Sequence, residues 1–455
     1  MKRDAIDFKN EKVSVLFRKL LLPTLLGTLS ISAVTAIDGI FVGHGTGADG
    51  VAAINFIVPV YQIMSGIGLM IGVGCSVVAS IHLSRGNVRV ARINISQAMT
   101  VTSLFVLLLC LAAMIVPVHA ARLLGASDTL LPQVVDYLLW IMPSYLFMLW
   151  EIIGLFIIRL DGSPRYTMWC NIVPALLNVL FDWLFIFPLG LGVKGAAMAT
   201  SICHVAGGVM AMYYLTRKAE QLSLLPLKLS KKSLLLTLRN IGYQCRVGSS
   251  SLLGELTMAV LIFVGNLTFM HYLGDAGVGA FGIACYYAPF FFMVGNAIAQ
   301  SAQPIISYNY GIARWGEIRK ARRLLLATSV VIGACVAALF IGVPSWLVML
   351  FVEVESEAGD IAVKGFPYFA SGIVFFILNV AVIGYCQSIE QIRKASLFVL
   401  LRGFLLLVPS FVFLPLWLDT EGIWLAMPVA ELLTTLLILV SFIPAFHLKL
   451  PKRQS

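Results

Sequence analysis

A chain of 455 residues with 60% hydrophobic and 12% charged side chains and a mean hydropathy of +0.94 cannot be an ordinary soluble globule. The composition is that of a polytopic membrane protein. A net charge of +10 would imply a nucleic-acid partner only if the cations clustered on one face; here they come in short bursts between apolar runs, so they report topology.

Apolar runs of about 18 residues or more predict twelve spanning helices. They fall at roughly 14–42, 51–83, 94–119, 132–158, 168–187, 195–216, 243–273, 277–308, 324–352, 362–388, 396–418 and 422–446. The first run is too long for the core of a cleaved signal peptide and is read as a membrane helix. The connections alternate in charge. One set holds Lys2, Arg3, Lys9, Lys12, Arg18 and Lys19, the Arg85–Arg92 and Arg159–Arg165 turns, the Arg217–Arg239 segment, Arg314–Arg323, Arg393–Lys394, and Lys449, Lys452 and Arg453. The other set holds Arg122 and Lys194 against acids that include Asp49, Asp128, Asp275, Glu353, Asp360 and Glu421. The positive-inside rule then places both termini in the cytoplasm.

The longest connection, 217–242, is basic and central, dividing an N-terminal lobe (1–216) from a C-terminal lobe (243–455) of six helices each. Gly86 and Gly311 stand 225 residues apart, and Gly195–Ala199 and Gly422–Ala426 stand 227 apart. Such spacing predicts parallel repeats about an axis along the membrane normal, with a central cavity where the lobes meet.

Against this apolar background the embedded polar residues stand out. Asn178 and Asp182 are four residues apart in the fifth helix and share a face. Counted at about 1.5 Å per residue, Asp38 of the first helix, Asp182 of the fifth and Thr200 of the sixth lie at one depth, with Asn178 about 6 Å deeper. Two carboxylates, a carboxamide and a hydroxyl form an oxygen-only site for a proton or a hard cation such as sodium. The alternative is that both aspartates sit at the outer interface and meet water. Glu151, Glu255 and Glu431 are further intramembrane acids, with Arg159 a candidate partner for Glu151. Arg246 and Arg402 lie near helix ends where they can snorkel, leaving the interior acidic. The aromatic and Met-rich run Tyr286–Met293 suits core packing, lipid contact or a wall for lipophilic cations. Pro23 allows the first helix to bend below Asp38, and the glycines of the second helix allow close helix approach. The eight cysteines stand singly and no pair of the six histidines has ligand spacing, which argues against a metal centre.

Several stretches together resemble one family. They are Val34–Gly43 (Val-Thr-Ala-Ile-Asp-Gly-Ile-Phe-Val-Gly), Ile158–Arg165 (Ile-Arg-Leu-Asp-Gly-Ser-Pro-Arg), Leu177–Phe187 with its Asn-x-x-x-Asp, Gly192–Thr200, and Gln303–Gly311 (Gln-Pro-Ile-Ile-Ser-Tyr-Asn-Tyr-Gly). In order and over nearly the whole chain they are similar to the multidrug and toxic compound extrusion (MATE) transporters, in their MepA-like bacterial branch. The resemblance implies a monomeric, twelve-helix, two-lobe antiporter of the bacterial inner membrane. It would export lipophilic cations in exchange for Na+ or H+, with no other cofactor. It implies an ion site at Asp38, Asn178, Asp182 and Thr200 and a hinge at Pro23. Glu255 matches a glutamate used in another branch, but the aspartate that accompanies it there is replaced here by Asn379.

A lipid-linked saccharide or peptidoglycan-precursor flippase of the same superfamily is the alternative. Its phosphate-bearing cargo asks for a cationic cavity, whereas the interior charges read from the sequence are acids. A membrane enzyme would need a nucleophile with its base or a metal cluster, and ATP-driven pumping a phosphate-binding loop; the sequence offers neither.

Overall fold

The computed structural model describes residues 6–124, 128, 130–227 and 230–442. Lys2, Arg3, Lys228, Lys449, Lys452, Arg453 and the last residues of the expected twelfth helix lie outside them, as do the side chains of Asp49 and Asp275. Regular structure among the described residues is entirely helical. Hydrocarbon dictates this, because a helix satisfies its own backbone N–H and C=O groups where no water can.

The helices are α1 (Val13–Asn55), α2 (Val58–Ser84), α3 (Val88–Ile115), α4 (Pro117–Leu123), α5 (Leu131–Ile141), α6 (Tyr145–Leu160), α7 (Pro164–Ile186), α8 (Gly192–Tyr213), α9 (Lys231–Gly311), α10 (Trp315–Gly342), α11 (Pro344–Met349), α12 (Glu357–Ala370), α13 (Ile373–Ser388), α14 (Ile392–Leu400), α15 (Leu407–Phe413) and α16 (Pro415–Ser441). Among the described residues eleven spans are long and apolar enough to cross a membrane. The twelfth is the pair α12–α13, bent by 50°. At that bend Gly372 lies against Pro428, and a Cβ there would come within 2.5 Å of the proline Cα.

Several expected boundaries move. The first helix does not stop near residue 42 but continues to Asn55, so Asp38 lies well inside it and not near its end. The extension is held by packing: Gly45 sits against Ile186 of α7, and Gly50 against Val193 of α8. The third span divides before Pro117, and the fourth passes through a 3-10 turn at Met142–Ser144, because proline supplies no amide hydrogen to the helix ladder. The seventh helix begins at Lys231, inside the expected linker, where Ser230 caps it by accepting from the Ser233 amide at 3.2 Å. It runs into the eighth through Gly274, whose φ of 61° suits glycine.

Two compact units result. Unit 1 comprises Met1–Glu255, Gln300–Leu324 and Tyr385–Ile392; unit 2 comprises Leu256–Ala299, Leu325–Gly384 and Arg393–Ser455. Unit 1 is built on α1 against α7, α7 against α8 and α6 against α2 and α8. In it α2 and α9 meet backbone to backbone: a Cβ on Gly248 would fall 1.8 Å from the Met70 carbonyl oxygen, and one on Gly74 would fall 2.0 Å from that of Gln244. The segment after α8 is clamped by Asp161, which accepts from the amides of Gln221 and Leu222 at 3.1 Å and from the Tyr214 hydroxyl at 2.9 Å. Unit 2 has an aromatic core. Phe291 is fully buried against Phe340, Phe369 and Phe376, with Tyr287 edge-on to Phe340 and Phe366. Most of the Tyr286–Met293 run is therefore packing; Tyr286, at 71% exposure, faces outward.

The α2–α9 contact yields a paired prediction. Gly248→Val should destabilise the protein by about 1–3 kcal/mol through overpacking, lowering the melting temperature in detergent. Gly242→Ala, on the same helix with nothing within 4 Å of a new Cβ, should leave it unchanged or raise it slightly.

Candidate cation site

Helix α7 carries a buried polar stripe. Asn171, Asn178 and Asp182 stand at i, i+7 and i+11 on the face it turns inward. Helix α1 lies along this face, with Gly27 opposite Asn171; a Cβ there would meet the Asn171 Nδ2 at 2.7 Å. One turn beyond Asn178 the stripe ends at Asp182, whose exposure is 0%.

The Asp38 carboxyl adjoins that of Asp182. Both carboxylate oxygens of Asp182 and the Oδ1 of Asp38 are buried with no hydrogen-bond donor among the described residues. The Nδ2 of Asn178 is likewise buried without an acceptor. Thr200 of α8 completes the group: Tyr137 of α5 lies beside it, within electrostatic reach of both aspartates. The structure thus brings Asp38, Asn178, Asp182 and Thr200 into one neighbourhood, at the meeting of α1, α5, α7 and α8. Two facing carboxylates repel and lose their hydration, a cost that a proton or a cation held between them would offset. The available donors are oxygens, which fits a proton or a hard cation such as Na+ and not a thiophilic metal.

Sequence reasoning missed Tyr137, Asn171 and His204. The i+7 spacing of Asn171 and Asn178 would have found the second; nothing in the sequence places Tyr137 opposite α1. His204 is buried mid-helix in α8, its Nδ1 2.9 Å from the Ser144 hydroxyl, with its ring near Tyr61 and Tyr145.

The remaining candidates lie elsewhere. Glu255 is on α9 next to Gly66, and with Glu151 it is within electrostatic reach of Tyr61. Glu151 does not pair with Arg159. Its carboxylate lies against Gly207, while Arg159 donates to Gln300 Oε1 at 2.6 Å and to the Leu155 carbonyl at 3.0 Å, and covers the Phe156 ring. Pro23 is buried within α1, which runs through it without a break; the Thr24 hydroxyl bonds the Leu20 carbonyl at 2.7 Å.

In unit 2 the expectation of a purely acidic interior is wrong. Arg402 does not snorkel: at 3% exposure it makes two hydrogen bonds to Glu431 Oε1, at 2.6 and 2.9 Å, and lies 4.2 Å from the centre of the Phe376 ring. Asn379 donates to the other Glu431 oxygen at 2.7 Å and accepts from Thr435 at 2.9 Å. A π-helical turn at Leu401–Leu405 carries the guanidinium, and a turn type of that kind is not readable from hydropathy. Glu431 and Asn379 thus form a network whose counter-ion is supplied by the chain itself.

A membrane helix bundle with a buried, oxygen-only acidic pair has the construction of a transporter. The MatE family model matches twice, at residues 23–184 and 251–413, and the chain belongs to this family of membrane transporters. It is 25% identical over 421 residues to the multidrug export protein MepA of Staphylococcus aureus, covering 91% of this chain and 90% of that one. It is 27% identical over 315 residues to a FAD transporter of Shewanella oneidensis, covering 67% and 66%. A solved outward-facing MATE-family multidrug resistance transporter of the MOP superfamily superposes with a TM-score of 0.87 at 19% identity, over 96% of this chain and 97% of that one.

Removing one partner of a buried ion pair leaves a bare charge. Arg402→Met should therefore cost about 3–5 kcal/mol, whereas Arg402→Met combined with Glu431→Met should recover much of that loss. Thermal unfolding of the three proteins in detergent checks the order.

Proposed function

We propose that this transporter is a multidrug exporter of lipophilic cations, driven by the inward movement of Na+ or H+ through alternating access. The carrying observation is the adjoining pair Asp38 and Asp182, in which the Asp38 Oδ1 and both Asp182 oxygens are buried without a hydrogen-bond donor among the described residues. Asn178 and Thr200 would complete the oxygen set. In the bound state the ion would supply the positive charge that the pair lacks; Asp182 and Asn178 would hold it from α7, Asp38 from α1 and Thr200 from α8. Occupancy would change the electrostatics along the α1–α7 seam, and Pro23 gives α1 a position at which to respond. A ligand moves such an equilibrium only through its different affinity for the two states, so cargo and ion couple by favouring opposite ones. The alternating charge of the connections supports cytoplasmic termini in a bacterial inner membrane. The name of the staphylococcal relative supports multidrug cargo.

The Shewanella relative, by its name, favours a second reading in which the cargo is a large anion. Against it, the buried guanidinium of Arg159 is engaged with Gln300, and that of Arg402 with Glu431. The flippase alternative meets the same objection.

Purified protein in liposomes, loaded with ethidium and given either a sodium or a pH gradient, separates these readings. We expect efflux with one gradient and its reduction to background in Asp38→Asn and Asp182→Asn, both still folded by thermal unfolding. Full transport in both variants would remove the proposed site. Flavin nucleotide movement without ethidium movement would favour the anionic cargo.

A further inference from the structure

The segment leading into α1 and the first turns of α10 line an open cavity of about 880 Å3 within unit 1. Its wall carries the cations Lys9, Lys12, Arg314, Lys320 and Arg323 and the acids Glu11 and Glu317. Both acids are already engaged. Glu317 pairs with Lys320 at 2.7 Å, and Glu11 pairs at 2.7 Å with Lys19, which lies outside the cavity. Arg314 donates to the Lys9 carbonyl at 2.9 Å and so ties the two turns together. Lys12 and Arg323 are exposed, and neither has an ion-pair partner among the described residues.

Helix α1 adds to the same field. Its N-cap is Lys12, no side chain caps it, and its first turn holds no acid, so its leading amides and the positive end of its dipole open on the cavity without an anion. The cavity also lies at the edge of the apolar surface. Beside it Trp315 is 55% exposed and edge-on to Tyr310, an interfacial placement, and α1 starts at Val13 and soon presents Leu22 outward. A cationic concavity at headgroup depth calls for an anion that is itself part of the membrane.

We propose that this cavity binds the phosphate headgroup of an anionic phospholipid, with Lys12 and Arg323 as its charge contacts. The proposal rests on the membrane placement of α1 and α10 and not on the exported cargo or the ion. A phosphate diester bound here would bridge the N-terminal segment to the start of α10, reinforcing the link made by Arg314 and the Phe8–Tyr308 stack at 5.9 Å.

Thermal unfolding in detergent, titrated separately with phosphatidylglycerol, phosphatidylcholine and inorganic phosphate, tests it. Phosphatidylglycerol should stabilise the wild-type protein saturably, and the other two should not. Its apparent affinity should fall about thirtyfold in Lys12→Gln/Arg323→Gln and about fivefold in Arg323→Gln alone, at roughly 1 kcal/mol per cation near an anionic surface. Lys231→Gln/Arg239→Gln, which removes two cations outside the cavity, should keep wild-type affinity. Unchanged affinity in both cavity variants, or equal stabilisation by phosphatidylcholine, would overturn the site. Equal stabilisation by inorganic phosphate would overturn its assignment to lipid.

Discussion

Two carboxyls, from α1 and α7, meet inside an apolar bundle with no hydrogen-bond donor for Asp182 among the described residues. That contact is unfavourable in isolation, so the surrounding helices must hold it in place. Helix α1 supplies glycines at the two levels where it touches α7, and α8 closes the extended end of α1 through Val193. The α1–α7–α8 packing is therefore a frame that keeps the two carboxyls together.

The two units treat buried charge in opposite ways. In unit 2 the acid Glu431 has a guanidinium, a carboxamide and a hydroxyl in a closed network. Such a pair gives little net stability but penalises any rearrangement that separates its members. In unit 1 the Asp182 oxygens and the Asp38 Oδ1 have no hydrogen-bond partner among the described residues. The family model matches the chain twice, at residues 23–184 and 251–413, yet the two networks differ in this way.

Polar side chains also position the parts that hydrophobicity cannot. Asp161 gathers the backbone amides after α8, fixing the course of the segment between α8 and α9. Gln97 bonds Thr237 and Asn240, so the start of α9 is registered on α3. In a membrane, where apolar faces of helices are nearly interchangeable with lipid, such hydrogen bonds and small-residue contacts decide which helix packs against which.

Hydropathy was enough to define an all-helical membrane chain of about twelve spans, because the lengths and polarity of spanning segments are dictated by the bilayer. The i, i+4 spacing of Asn178 and Asp182 in an apolar run was enough to mark α7 as a helix with a polar face, and both side chains are buried. What the linear chain could not show was where charges on different helices find one another. The neutralisation of Glu431 by Arg402, the divorce of Arg159 from Glu151, and the approach of Tyr137 to Thr200 all depend on helix rotation and on local departures from regular helix. Those are set by side-chain packing between segments far apart in sequence, and only the tertiary structure decided them.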